Sequence, residues 1–149
     1  MSGQRKGEAR RWFQQAVYDL RAARWNIQGG FHNTACFLAQ QAGEKALKSL
    51  LYSLGARRKA LLTHSLAEMV REVRRAVPPL ANLQDEAREL DLHYVPSRYP
   101  NGLPSGYPHQ FYDEGLASKA LTAAEKILAG VRGYYQAHGG EELLDPDTI

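Results

Sequence analysis

Apolar residues recur at three- and four-residue steps through most of the chain, which is the period of an amphipathic helix. The first such segment, over about residues 8–28, ends at a Gly-Gly pair. The second, over about 33–54, is apolar over most of its girth, so we expect it at the centre of the molecule. Asn33 is its predicted N-cap, and Gly55 is the predicted stop.

Three further helices follow from the same pattern. The third starts at a capping box, in which Ser65 is followed three residues later by Glu68, and it ends before a Pro-Pro pair. The fourth is predicted over about 80–92, and the last over about 111–137. Their stripes of leucine, alanine and valine again face one side.

These segments predict the fold class. With mostly short connections and no strand pattern, they indicate an all-α, antiparallel up-and-down bundle of four to five helices. One domain is expected over residues 1–140, and 141–149 are predicted as an acidic, frayed C-terminal tail. A long loop rich in proline and tyrosine separates the last two helices, where a few residues would suffice.

That loop carries the clearest candidate chemistry. Its core, "HYVPSRYPNGLPSGYPH", contains four of the seven prolines. Arg98 offers a planar fork of donors for a phosphate, and Tyr94, Tyr99 and Tyr107 offer rings on which bases stack. Proline stiffens the segment, so we interpret it as a preformed recognition loop. Alternatively, the tyrosines merely cover the open end of the bundle and Arg98 pairs with Asp91 or caps helix carbonyls.

The second helix adds polar candidates beside this loop. Gln41, Lys45 and Lys48 share one face, where they can meet phosphates. The alternative is that Glu44 and Lys48 form an ordinary surface ion pair of small value.

Charge and composition narrow the function classes. The net charge is +3, but the tail holds four acids and no base, so residues 1–140 carry +7 and can attract phosphate or simply be solvated. A single cysteine, Cys36, excludes an intramolecular disulfide and is expected to be a small buried residue. Neither a metal site nor a cofactor is expected from the spacing of histidines and carboxylates. Short apolar runs and no leader pattern predict a cytoplasmic protein without a membrane span.

Three stretches in this order resemble one known family. They are "ACFLAQQAGEKALKSLL" at 35–51, "THSLAEMV" at 63–70 and "ELDLHYVPSRYPNGLPSG" at 89–106. Together they are similar to the HEPN domain, a nucleotide-binding domain of higher eukaryotes and prokaryotes, over roughly residues 8–137. The resemblance implies a helical bundle that is frequently a homodimer and that associates with nucleotides or RNA.

The resemblance also implies two kinds of activity. Some members of the family are partners of a minimal nucleotidyltransferase. Others are metal-independent endoribonucleases, commonly the toxin of a toxin–antitoxin pair, and carry an Arg and a His four to six residues apart near the last helix. This sequence departs from that pattern, since ten residues separate Arg98 from the next histidine, His109.

Catalytic candidates therefore remain weak. His93 or His109 with Arg98 could supply a base and a cation for RNA cleavage, if folding brings them together. Arg58 and His64 have a suitable spacing but lie before the third helix, and His64 is interpreted as a helix-start hydrogen bond. Three hypotheses stay open: a nucleotide- or RNA-binding module, a ribonuclease, and a purely structural interaction module that uses Trp25 and Tyr18.

Overall fold

The computed structural model describes residues 2–144, and within that range the chain is helical without any β-strand. Seven α-helices follow one another: α1 (Gly3–Gln28), α2 (His32–Ser53), α3 (Arg58–Leu62), α4 (Leu66–Val73), α5 (Gln84–Asp91), α6 (Pro108–Phe111) and α7 (Glu114–Ala137). Short 3-10 helices occur at Pro78–Leu83, Pro100–Gly102 and Glu141–Leu143. The predicted all-α bundle is confirmed.

Helix α2 lies at the centre, as its apolar girth predicts. It packs against α1, α4, α5, α6 and α7. Small residues on its surface allow these helices to approach closely, and Ala35, Ala39, Ala42 and Ala46 are all buried. Its Ser49 hydroxyl joins α1 and α7, because it donates to the Ala9 carbonyl at 2.5 Å and lies 2.7 Å from the Tyr135 hydroxyl.

The caps of the helices explain why two of them begin elsewhere than predicted. Helix α1 begins at Gly3 because the Ser2 hydroxyl accepts a hydrogen bond from the Arg5 N–H. Helix α7 begins at Glu114 because the Asp113 carboxylate accepts from the Leu116 N–H at 2.9 Å. The N-cap prediction for Asn33 is wrong, since its side chain donates instead to the Ser97 carbonyl at 3.1 Å.

The middle of the chain is more broken than the periodicity predicts. The segment predicted as one helix over 80–92 is a 3-10 helix at Pro78–Leu83 followed by α5. Two consecutive prolines occupy its first positions, where the N–H groups of a helix have no intrahelical partner, so they fit its start. The connector before α4 contains the additional helix α3.

The C-terminal end is packed as far as it is described. Glu141–Leu143 forms a 3-10 helix, Leu143 and Leu144 are buried, and Glu142 pairs with Lys6 at 2.8 Å. Two leucines of this segment therefore extend the core. Residues 145–149 of the predicted frayed tail lie outside the described residues.

Two simpler expectations concern Cys36 and the membrane. Cys36 is fully buried, and burial raises the pKa of its thiol to about 12, so it packs as a small apolar residue. Among residues 2–144, no helix has both the length and the hydropathy that crossing a bilayer demands.

Candidate functional site

The guanidinium of Arg98 is held among three aromatic rings. Its carbon lies 4.4 Å from the ring centroid of Phe37, 4.8 Å from that of Tyr94 and 5.0 Å from that of Tyr99. Its Nε donates to the Tyr94 carbonyl at 2.9 Å, and the side chain is only half-buried. Cation–π contact orients the group without cancelling its charge, and among residues 2–144 its two terminal nitrogens donate no hydrogen bond.

Carboxylates do not neutralise this arginine. Within residues 2–144, none lies within ion-pair distance of Arg98. The alternative pairing with Asp91 is wrong, because that carboxylate caps α4. It accepts from the Leu66 N–H at 2.7 Å, from the Ala67 N–H at 3.1 Å and from the Ser65 hydroxyl at 2.9 Å.

His64 extends the cluster of rings. Its imidazole stacks on Tyr94 with centroids 5.0 Å apart and an interplanar angle of 18°. Its Nδ1 lies 3.3 Å from the Glu44 carboxylate, so the interpretation of His64 as a helix-start hydrogen bond is wrong. The Tyr94 ring thus contacts both the His64 ring and the Arg98 guanidinium. We call these three side chains, together with Phe37 and Tyr99, the Arg98 cluster.

The Glu44 carboxylate anchors this cluster on α2. It is buried and lies 3.1 Å from the Lys48 Nζ and 3.2 Å from the Gln40 Nε2. The pair with Lys48 is therefore not a surface ion pair, because both side chains are more than nine-tenths buried. Lys48 also faces the ring of Trp12, which leaves it poorly placed for a ligand.

The other predicted polar residues of α2 lie away from Arg98. Lys45 pairs with the largely buried Asp19 of α1, and its Nζ also donates to the Gln41 side chain at 3.2 Å. Lys45 lines a separate depression of about 340 Å³. The basic edge predicted on α2 is thus largely neutralised by Asp19 and Glu44, which sequence spacing could not reveal.

The histidines predicted as catalytic candidates do not touch Arg98. His93 is buried, with its Nδ1 3.0 Å from the Tyr112 hydroxyl and its Nε2 3.8 Å from a Glu89 oxygen. His109 is exposed beside the ring of Phe31, 6.1 Å away between centroids. The remaining loop residue, Tyr107, is exposed just before α6.

The burial of His93 predicts a pH effect on stability. Burial lowers the pKa of His93 in the folded protein below its ordinary 6.5, so the unfolded chain binds the proton first. The associated stability is complete above pH 6.5 and is lost as the pH falls from there through the lower pKa of the folded state. We expect the wild-type melting temperature to fall more steeply below about pH 6.5 than that of His93→Gln. The exposed His109→Gln serves as the control and should follow the wild type, whereas parallel curves for all three proteins would contradict the assignment.

Sequence reasoning found the centre of the cluster but missed two of its members. Phe37 is an aromatic residue that lies off the apolar stripe of α2. That position could have indicated a contact outside the core. His64 gave no comparable signal, because its partners Glu44 and Tyr94 are distant in the sequence.

Within residues 2–144, the chain is a small all-α bundle in which an arginine lies between aromatic rings and has no carboxylate partner. The fold and the site together define this class of protein. The model of the HEPN domain family matches residues 9–134 of the sequence, and the chain belongs to that family. This confirms the resemblance in the three sequence stretches. A comparison with curated proteins gives no match.

Solved structures agree with this assignment. TT1696 from Thermus thermophilus is 36% identical, with a TM-score of 0.78, and the match covers 85% of this chain and 97% of that one. An archaeal HEPN homologue, ST0689, is 35% identical with a TM-score of 0.71 over 85% and 97% of the two chains. A HEPN domain protein of Thermotoga maritima is 30% identical with a TM-score of 0.67 over 85% and 98%.

Proposed function

We propose that this chain is a nucleotide- or RNA-binding module whose Arg98 cluster holds a phosphate of the ligand. One observation carries the proposal: a half-buried guanidinium is fixed by rings and a backbone carbonyl, with no carboxylate paired to it among residues 2–144. Such an arginine is oriented in advance and can form two parallel hydrogen bonds to phosphate oxygens.

The aromatic residues of the cluster suit the base of the same ligand. Tyr99 is half exposed, so one part of its ring remains open to solvent while another part faces Arg98. A nucleobase stacked there would gain contact area without needing any particular sequence of bases. Adjacent sites for a phosphate and for a base fit a nucleotide better than they fit an inorganic anion.

We further propose that the module acts as a homodimer with a minimal nucleotidyltransferase as its protein partner. The support is membership of the HEPN family and two exposed aromatic residues on α1. Trp25 is three-quarters exposed, and Tyr18 is half exposed beneath the guanidinium of Arg21. Exposed aromatic residues of this kind are enriched in the centres of protein interfaces. They also suit the alternative of a purely structural interaction module.

Replacing Arg98 by alanine tests the binding proposal. We expect affinity for uridine monophosphate, measured by calorimetry at low salt, to fall about tenfold to a hundredfold. A loss of this size is expected because the variant no longer forms charged hydrogen bonds to the phosphate. Arg98→Lys keeps the charge but not the fork, and should restore only part of the affinity. Low salt is needed because phosphate contacts weaken as salt rises.

The control for this experiment is Arg88→Ala, which removes an exposed arginine of α5 whose partner is the exposed Asp85. It should leave affinity within twofold of the wild type. Unchanged affinity in Arg98→Ala, with an unchanged melting curve, would refute the role of Arg98.

The metal-independent ribonuclease remains the alternative, and one contact favours a specific version of it. His64 is the histidine joined to the Arg98 cluster, through the ring of Tyr94. An imidazole and a guanidinium on one surface are the groups that cleavage at a 2′-hydroxyl requires. RNA that is cut by the wild type, but not by His64→Ala or Arg98→Ala, would favour this alternative over binding alone.

A further inference from the structure

The segment 57–75, which contains α3 and α4, concentrates the positive charge of the protein. It holds six basic residues and two glutamates, a net charge of +4, whereas the whole chain has +3. The basic residues are Arg57, Arg58, Lys59, Arg71, Arg74 and Arg75. A charge this concentrated on one part of a small protein favours a polyanionic ligand.

A cleft between α3 and α4 gathers part of this charge. It has a volume of about 480 Å³, and Arg57, Lys59 and Arg75 line it. Two glutamates also line it, and they reduce the charge of the lining from +3 to +1. The carboxylate of Glu68 accepts a hydrogen bond from the Thr63 hydroxyl, and that of Glu72 lies 3.9 Å from Arg75.

Arg57 and Lys59 of the cleft form no ion pair in the described part of the chain. No carboxylate of residues 2–144 lies within ion-pair distance of Arg57 or Lys59. The side chain of Arg75 is four-fifths exposed. We call this site, lined by Arg57, Lys59, Thr63 and Arg75, the α3–α4 cleft.

The cleft and the Arg98 cluster lie in order along α2. Arg98 contacts Phe37 in the second turn, His64 contacts Glu44 near the middle, and α3 follows shortly after the end at Ser53. Thr63, which lines the cleft, directly precedes His64, so the cleft adjoins the Arg98 cluster. A nucleoside monophosphate has one phosphate group and can fill only one of the two sites.

From this arrangement we infer that the α3–α4 cleft is a second phosphate-binding site for an RNA strand that begins at Arg98 and runs past His64. The inference rests on the proposed function, because the Arg98 cluster supplies the first contact. The RNA is unpaired at this point, since the exposed ring of His64, next to Thr63 of the cleft, offers a stacking surface for an unpaired base.

The experiment compares ligands of two lengths. Fluorescence anisotropy is measured with labelled uridine monophosphate and with a labelled oligouridylate of about 12 nucleotides, over a range of KCl concentrations. We expect the oligonucleotide to bind at least tenfold more tightly to the wild type. The triple variant Arg57→Gln, Lys59→Gln, Arg75→Gln should lose this gain and keep its affinity for the mononucleotide. Removal of three phosphate contacts should also reduce the slope of log K against log salt by about 2.

A matched triple variant controls for net charge. Arg88→Gln, Lys119→Gln and Lys126→Gln remove the same charge from exposed side chains of α5 and α7, outside the α3–α4 cleft. This control should retain tight binding of the oligonucleotide. Melting curves of both variants are measured as well, so that affinities are compared only between folded proteins.

Three outcomes would overturn the inference. The two triple variants could lose affinity equally, the oligonucleotide could bind no more tightly than the mononucleotide, or polyglutamate could compete as well as RNA, which would indicate an acidic protein partner. Failure of the proposed function is distinguishable, because it appears as mononucleotide binding that is absent or is unaffected by Arg98→Ala.

Discussion

Replacing Glu44 by alanine is expected to lower the free energy of unfolding by about 3–5 kcal/mol, the usual cost of leaving one partner of a buried ion pair alone. The substitution removes the acceptor of Gln40 and the partner of His64 as well as that of Lys48. The Lys48 ammonium would remain buried beside the Trp12 ring without a counter-charge. Urea unfolding followed by circular dichroism measures the loss.

A double variant separates the cost of the unpaired charge from the loss of packing. Glu44→Leu with Lys48→Met removes both charges and keeps the volume, so it should recover most of the stability. Glu125→Ala is the control, because Glu125 pairs with Arg24 at the surface and should cost less than about 1 kcal/mol. Equal losses for Glu44→Ala and Glu125→Ala would contradict the burial of this network.

Replacing Gly43 by valine is expected to destabilise the protein by about 3 kcal/mol, because the helices around α2 leave no room for a side chain. A Cβ atom there would lie 2.7 Å from a methyl carbon of Leu66, 2.9 Å from one of Leu90 and 3.4 Å from one of Ile127. These leucines belong to α4 and α5, and the isoleucine belongs to α7, so three helices would have to move apart. The urea midpoint should fall with little change in the m-value.

Gly133→Ala is the matched control for Gly43→Val. Gly133 lies within α7, it is exposed, and a Cβ atom there meets nothing within 4 Å. The alanine should therefore stabilise the helix by about 0.5–1 kcal/mol through its better helix propensity. If Gly43→Val proved as stable as the wild type, the close approach of the three helices would be wrong.

Much of the helical framework was predictable, because its determinants are local. Ser65 begins α4 with its hydroxyl bound to the Glu68 N–H, as the capping box predicts. Gly55 has a positive φ of 68° just after α2, as expected for a helix stop. The errors fell at boundaries, where a cap such as Asp113 competes with an apolar residue such as Phe111 for the start of a helix.

The site was predictable only in part. The loop composition singled out Arg98, Tyr94 and Tyr99, and these three side chains are indeed together. The roles assigned to Lys45 and Lys48 depended on charges elsewhere, and the structure pairs both lysines with carboxylates. Helical periodicity tells which side chains share a face, but it does not tell what that face meets.

The sequence by itself determined the helices, the central place of α2 and the family, because periodicity, caps and local motifs act over a few residues. The tertiary structure decided which charges stay available to a ligand. Asp19 of α1 forms an ion pair with Lys45. Asp91 of α5 caps α4 rather than pairing with Arg98. Such pairings join residues far apart in the chain, and the energy of an ion pair depends on the distance and burial that only folding sets.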